Sequence, residues 1–252
     1  MYKNIDIGNK GNKAIKANKK ARIPIIDALR GLSIILMVAY HTGYDLVLFK
    51  LAPKAALYNP LLAFLQPFFA GVFIVLAGVS ARYASNNHAR GARVLACALI
   101  VSIVTGFIGV PVSFGILHCL GFCMVLCGDP ATWVDKIPRK AQPLLFCGLF
   151  IACYLFIPVR GDIFSTVPYL YAFGFVGPTF TSADYFPLLP WLFLYLLGTW
   201  VGSYIKAGRF PRWFYNFRIP VLPVIGRHTL LIYMLHQPVV YLAVSLLAHI
   251  LR

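Results

Sequence analysis

Long apolar segments separated by short polar stretches dominate the chain. Each segment is close to the length of about 20 residues that an α-helix needs to cross the hydrocarbon core of a bilayer. The pattern predicts seven spans, near residues 25–47, 62–81, 92–110, 111–127, 143–159, 187–205 and 221–250. We therefore expect an all-α fold, a polytopic membrane helix bundle of about seven transmembrane helices.

The composition agrees with this class of protein. Sixty per cent of the 252 residues are hydrophobic and 12% are charged, whereas a soluble domain is about 25% charged. The 23 Lys and Arg residues outnumber the 7 acidic ones, all of which are Asp, and give a formal charge of +16. So apolar a chain is neither a disordered protein nor an ordinary nucleic-acid-binding domain, and no nucleic-acid partner is expected.

The basic residues also predict how the chain is oriented. Nineteen of the 23 fall on one side of the alternating spans: seven in 1–22, Arg30, three in 82–93, three in 136–140 and five in 206–227. The positive-inside rule makes that side cytoplasmic, with the N-terminus inside. Residues 1–22 are predicted to be a disordered basic tail in the cytoplasm, and residues 23–252 a transmembrane domain.

The cysteines indicate packing rather than chemistry. Cys119, Cys123 and Cys127 recur every four residues and share one helix face. A single stripe of thiols cannot surround a metal ion, and the spacing differs from the usual zinc patterns, so no metal is expected. The sequence also lacks the common motifs of P-loop enzymes, serine hydrolases and zinc peptidases.

The first span carries most of the ionisable residues placed within the membrane, where such groups are costly and therefore indicate function. Asp27 and Arg30 are three residues apart and are predicted to pair near the cytoplasmic end. Asp45 lies one helical turn beyond His41, so its carboxylate could fix the tautomer of the imidazole. This spacing is typical of a general base with an orienting carboxylate. The alternative is a polar helix end with a structural histidine.

Other polar residues lie near other spans. His118 and His236 are each as compatible with a structural hydrogen bond as with a site, but three intramembrane histidines on three spans together favour a functional site. Asp184 precedes the sixth span and could either bind a hydroxyl or amine or cap the following helix. Asp135, in a cytoplasmic loop, is expected to be an ordinary solvated charge.

Five strings of the sequence resemble, in the same order, the bacterial membrane proteins related to heparan-alpha-glucosaminide N-acetyltransferase. They are IDALRGLSIILMVAYHTGYDL, FFAGVFIVLAGVSARYA, FGILHCLG, SADYFPLLPWLFLYLLGTWVG and IGRHTLLIYMLHQPV. The R-G after I-D-x-L is shared with other membrane acyltransferases, whereas its combination with FGILH, DYFPLLPW and LLIYMLHQP is specific. The resemblance covers nearly the whole chain from about residue 22.

The resemblance implies acyl transfer across the bacterial cytoplasmic membrane. Acetyl-CoA on the inner side would donate an acetyl group to a saccharide amine or hydroxyl reached from the outer side. A histidine is central to the chemistry of the eukaryotic relative, and His41 is the best candidate here, with Asp45 as its orienter. The relative's histidine lies further towards the outer loop, so His41 is assigned by position and residue type.

The resemblance also implies roles for other residues. Arg30, in the R-G motif, and Arg227 are expected to bind the phosphates of coenzyme A, because a guanidinium group is well matched to phosphate. His118, Asp184 and His236 are expected to line the cavity. The aromatic segment 169–186 suits stacking on a sugar.

Two other functions stay open at this point. A proton-coupled transporter or channel would use the intramembrane His and Asp residues as its path and would show flux without coenzyme A. A haem-binding electron carrier would need two matched layers of histidines, which the expected depths do not give. The oligomeric state, with a homodimer as one option, is also left open.

Overall fold

The computed structural model describes residues 23–164, 169–217 and 219–251, which form helices joined by turns. The predicted disordered tail, residues 1–22, lies outside these ranges. The α-helices in the described residues are α1 Pro24–Leu48, α2 Pro60–Ala81, α3 Asn87–Phe107, α4 Ile116–Cys127, α5 Pro130–Trp133, α6 Ala141–Phe164, α7 Leu188–Lys206, α8 Arg212–Asn216, α9 Leu222–Arg227 and α10 Thr229–Ile250.

The predicted class, an all-α multi-span membrane protein, is confirmed. Within the described ranges, five helices are long and apolar enough to cross a bilayer, namely α1, α2, α3, α7 and α10. The number becomes six if α4 and the helical turns after it, which bend by 51°, form one span. The apolar part of α6, Ala141–Ile157, is shorter than the five long helices.

Two predicted boundaries differ from the structure for local reasons. The third and fourth spans were expected to meet at residue 110, but α4 begins only at Ile116. The linker between them contains Pro111 and also Gly109, whose φ of +75° is left-handed and incompatible with a continuing helix. The last predicted span is divided at His228 into the short helix α9 and the long helix α10.

Glycines allow two helix pairs to pack at backbone distance. Gly78 of α2 and Gly198 of α7 face each other's helix so closely that a Cβ on either would overlap a carbonyl oxygen. Gly31 of α1 and Gly226 of α9 make the same kind of contact. Small residues of this kind let membrane helices approach closely. The second contact places α1 beside the α9–α10 segment.

A closed polar network joins the C-terminal ends of α2 and α7. Arg82, 7% exposed, makes two hydrogen bonds of 2.8 Å to the carboxylate of Asp135. Its Nε donates to the carbonyl of Thr199 at 2.9 Å, and Lys206 donates to its carbonyl oxygen at 2.6 Å. The expectation that Asp135 is an ordinary solvated charge is therefore wrong, because the carboxylate is the bidentate partner of a buried arginine.

The cysteine stripe lies in the main hydrophobic core. Cys119, Cys123 and Cys127 are at most 2% exposed and pack among aromatic and aliphatic side chains of α2, α4 and α7. Their placement fits the packing role that their spacing predicted, since a free cysteine behaves as a small apolar residue when buried.

Candidate active site

His41 of α1 and His236 of α10 lie against each other in the contact between these two helices, here called the α1–α10 seam. Their ring centroids are 5.0 Å apart and the rings are tilted by 56°. From the sequence, His41 is expected in the outer half of the membrane and His236 near its middle, but the structure brings the two rings into contact. The seam is therefore the place in the described chain where two of the three predicted intramembrane histidines meet.

Asp45 faces the seam but binds a partner other than His41. The side chain is fully buried, and both carboxylate oxygens accept hydrogen bonds from the Gln237 amide, at 3.1 and 3.2 Å. No hydrogen bond joins Asp45 to His41 in the part of the chain that the structure describes. The arrangement expected of an orienting carboxylate is thus absent there, because the carboxylate reaches across to the amide on α10.

Gln237 was not singled out from the sequence. In the sequence it follows His236 and precedes Pro238. An amide inside the membrane needs a hydrogen-bond partner, and Gln237 stands next to an intramembrane histidine. These two features of the sequence could have identified Gln237 as a candidate site residue.

His236 makes one hydrogen bond and keeps one ring nitrogen free of protein partners. Its Nδ1 lies 2.6 Å from the carbonyl oxygen of Tyr233, which can only accept, so Nδ1 carries the proton. Its Nε2 is buried and has no hydrogen-bond partner among the described residues. The neutral ring therefore keeps a buried acceptor lone pair.

Asp184 serves the start of α4. Its Oδ2 accepts a hydrogen bond of 3.0 Å from the backbone N–H of Ile116 and one of 2.9 Å from the hydroxyl of Tyr233. The carboxylate thus satisfies a free N–H of a helix N-terminus, although of α4 rather than of the α7 start considered from the sequence. Removal from water raises the pKa of the Asp184 carboxyl, and the two hydrogen bonds oppose this rise.

His118 has hydrogen-bond contacts at both ring nitrogens. The backbone N–H of Gly115 donates to Nδ1 at 3.2 Å, and Nε2 lies 3.3 Å from Ser102 Oγ. Because Nδ1 accepts, Nε2 must carry the proton and donate to the serine. The ring also stacks on Phe114, with centroids 5.4 Å apart. This arrangement is that of a structural histidine closing the first turn of α4.

The N-terminal end of α1 holds two arginines around one carboxylate. Asp27 Oδ1 lies 3.5 Å from Arg30, which confirms the predicted pair, and Asp27 Oδ2 lies 3.6 Å from Arg227. Arg30 also contacts the hydroxyl of Ser80 on α2. Two guanidinium groups sharing one carboxylate leave a net positive charge at this end. Arg227 remains 45% exposed and accessible to a further anion.

An open groove runs from Arg227 along α10. It has a volume of about 360 Å³ and is lined by Cys97, Arg227, His228, Leu230, Leu231 and Met234. Its polar end is therefore cationic and its walls are apolar. His236 lies eight residues beyond His228, which is about 12 Å along a helix. The groove therefore lies at the N-terminal end of α10, and its lining residues are distinct from His41, Asp45, His236 and Gln237.

Comparison with known protein families gives one match. The family described as "Heparan-alpha-glucosaminide N-acetyltransferase, catalytic" matches residues 22–238 of the chain. Searches of curated proteins and of solved structures returned no match. The matched range includes His41, Asp45, His236 and Gln237 as well as the residues that line the groove.

Proposed function

Because the chain belongs to the family of the heparan-alpha-glucosaminide N-acetyltransferase catalytic domain, and is thus a membrane acetyltransferase, we propose that it moves an acetyl group from cytoplasmic acetyl-CoA to a saccharide acceptor. The acceptor group is an amine or a hydroxyl that reaches the protein from the outer side. The membrane is the bacterial cytoplasmic membrane, with the basic helix ends inside.

The observation that carries this proposal is the contact between His41 and His236. Acyl transfer to an amine or hydroxyl needs a group that removes a proton, and histidine is the side chain that most often does so. Two imidazole rings with centroids 5.0 Å apart, inside a membrane protein of an acetyltransferase family, support the seam as the proposed reacting end. His41 and His236 are accordingly the proposed catalytic pair. Asp45 supports them through Gln237.

The donor is proposed to bind from the inner end. Coenzyme A is polyanionic, and Arg227 and His228 lie at the cationic mouth of the groove, with Arg30 beside them through Asp27. The pantetheine arm is long and thin and suits the apolar walls formed by residues of α3 and α10. The distance of about 12 Å from His228 to His236 along α10 is within the reach of that arm.

The acceptor is proposed to enter from the opposite end, below the aromatic segment 169–186. Tyr171, Phe180 and Tyr185 pack on one another there, with centroid distances of 5.5 and 4.9 Å. Tyr169 is 76% exposed and can stack on a sugar. The proposed role of Asp184 is positional, since its hydrogen bonds hold the α4 start next to Tyr233.

Calorimetry of acetyl-CoA binding to the detergent-purified protein tests the proposal. We expect micromolar binding that is lost in Arg30→Ala and kept in His41→Ala, because the phosphates bind at the inner end and the chemistry takes place further out. Lys54→Ala is the matched control, since Lys54 is an exposed cation in a connection predicted to lie on the outer side. Monodisperse wild-type protein that binds no acetyl-CoA and conducts protons in liposomes would instead support the transporter.

A further inference from the structure

The α1–α10 seam contains two buried acceptor atoms on consecutive residues of α10. They are Nε2 of His236 and Oε1 of Gln237, and neither has a hydrogen-bond partner among the described residues. Both residues contact α1, His236 through His41 and Gln237 through Asp45. Buried polar atoms are nearly always hydrogen-bonded, so two unpartnered acceptors at one helix contact point to a ligand that donates.

The orientation of the Gln237 amide follows from its contact with Asp45. An ionised carboxylate offers acceptors only, so the NH₂ group of Gln237 must face Asp45. Both carboxylate oxygens of Asp45 lie within 3.2 Å of the Gln237 amide nitrogen, and these two contacts together fix the orientation of the amide. Oε1 is therefore turned away from Asp45 and is available to accept a hydrogen bond.

The tautomer of His236 follows in the same way from its contact with Tyr233. The carbonyl oxygen at 2.6 Å accepts the proton on Nδ1, and Nε2 is left with its lone pair. Protonation of Nε2 as well would place an unpaired charged donor at a buried position, which is costly. His118 has the opposite tautomer, because the N–H of Gly115 donates to its Nδ1. Of these two histidines, only His236 has a buried ring nitrogen without a partner.

We infer that His236 is the proton acceptor of the transfer reaction and that Gln237 holds the attacking group, an inference that rests on the proposed function. The nucleophile, an amine or a hydroxyl, gives a hydrogen bond to Nε2 of His236. As its nitrogen or oxygen attacks the thioester carbonyl, its proton passes to Nε2 and the carbon–sulfur bond breaks. The thiolate of coenzyme A then takes that proton, so the ring returns to its neutral form.

This assignment divides the roles in the seam. Gln237 Oε1 accepts a second hydrogen from the nucleophile when that group is a primary amine. Asp45 and Tyr233 are positioning residues, because they act on the reacting groups through Gln237 and His236. His41 borders the same space from α1, where its ring can contact the thioester.

Acetyl transfer to glucosamine in detergent, with radiolabelled acetyl-CoA, tests the assignment. We expect His236→Ala to lower the transfer rate by about a hundredfold or more while acetyl-CoA binding is unchanged. Imidazole added to the buffer should restore part of the rate, which it would not do for a purely structural defect. His249→Ala is the matched control because His249 is exposed near the end of α10. Gln237→Leu is matched in the same way by Gln66→Leu, an exposed glutamine.

A second measurement does not depend on activity. In protein labelled with ¹⁵N-histidine, NMR should show His236 as the neutral tautomer protonated at Nδ1, identified by its loss in His236→Ala. His118 should show the tautomer protonated at Nε2. A His236 protonated at Nε2, or a wild-type rate in His236→Ala, would overturn the inference. Wild-type protein that neither binds acetyl-CoA nor transfers acetyl groups would contradict the proposed function, whereas the NMR result would still test the tautomer.

Discussion

Two polar regions lie inside the bundle, and they differ in how completely their groups are hydrogen-bonded. In the closed polar network at the ends of α2 and α7, three nitrogens of Arg82 bind Asp135 and the carbonyl of Thr199. Lys206 binds the carbonyl oxygen of Arg82 itself. In the seam, by contrast, His236 and Gln237 each keep a buried acceptor without a partner in the described chain. The first region is closed and the second is open.

This difference distinguishes a structural network from the proposed site. Leaving a buried acceptor unpaired costs about 1–3 kcal/mol. Single buried atoms without a hydrogen-bond partner among the described residues also occur on Asp27, Gln142 and Tyr195, whereas the seam has two on consecutive residues, which favours a ligand that binds both. A closed network instead rigidifies the helices that it joins. Charge alone would have indicated the closed network as the site, because it contains the buried Arg82. Hydrogen-bond pairing indicates the seam.

The largest effect is expected in the closed network. Asp135→Ala removes the bidentate partner of Arg82 and leaves a buried guanidinium, which should lower the free energy of unfolding by about 3 kcal/mol. Thermal and denaturant unfolding in detergent would measure this loss. Acetyl transfer per folded molecule should be unchanged, since the network lies outside the seam. A variant as stable as wild type but catalytically impaired would reverse the roles assigned to the two regions.

An intermediate effect is expected from the polar pair that sets the Gln237 amide. Asp45→Asn supplies an NH₂ group that can bind Oε1 of Gln237. The glutamine can then turn this acceptor towards residue 45 and away from the attacking group. The transfer rate should fall by about tenfold, which corresponds to about 1.4 kcal/mol.

The double variant Asp45→Asn/Gln237→Glu sharpens this test. The carboxylate introduced at position 237 can accept a hydrogen bond from the asparagine at position 45 with one oxygen and bind the attacking group with the other. Much of the transfer rate should therefore return. Steady-state transfer rates of the two single variants and of the double variant give the coupling between the sites. Additive losses would show that the pair does not act through amide orientation.

The sequence predicts the elements of this site better than its contacts. The apolar segments and the Asp27–Arg30 pair follow from residue type and period. The choice of His41 and His236 as candidates follows from residue type, position and the family resemblance. The hydrogen bonds of Asp45 and Asp135 do not, because each carboxylate binds a residue far away along the chain. Which distant residue it meets depends on helix rotation and on the close Gly31–Gly226 contact, and neither is encoded by local spacing.

The smallest effect is expected at Asp184, which shares features of the closed network and of the seam. Its carboxylate is hydrogen-bonded like the closed network, yet one of its partners, Tyr233, is also the residue that holds His236. An asparagine oxygen can accept the same two hydrogen bonds. Asp184→Asn should therefore change the free energy of unfolding by less than about 1 kcal/mol near neutral pH.

The pH dependence shows whether Asp184 belongs with the closed network. Because its pKa is raised in the folded protein, the contribution of the carboxyl to stability is complete below its ordinary value of 3.8 and is lost as the pH rises through the folded pKa. Wild-type stability should decline over that range relative to Asp184→Asn, which lacks the ionisation. Melting temperatures of both proteins in detergent, from pH 4 upwards, measure the difference. Parallel curves of melting temperature against pH for the two proteins would mean that the carboxyl ionises equally readily in the folded and the unfolded chain. The start of α4 would then be held by the hydrogen bonds of residue 184 alone.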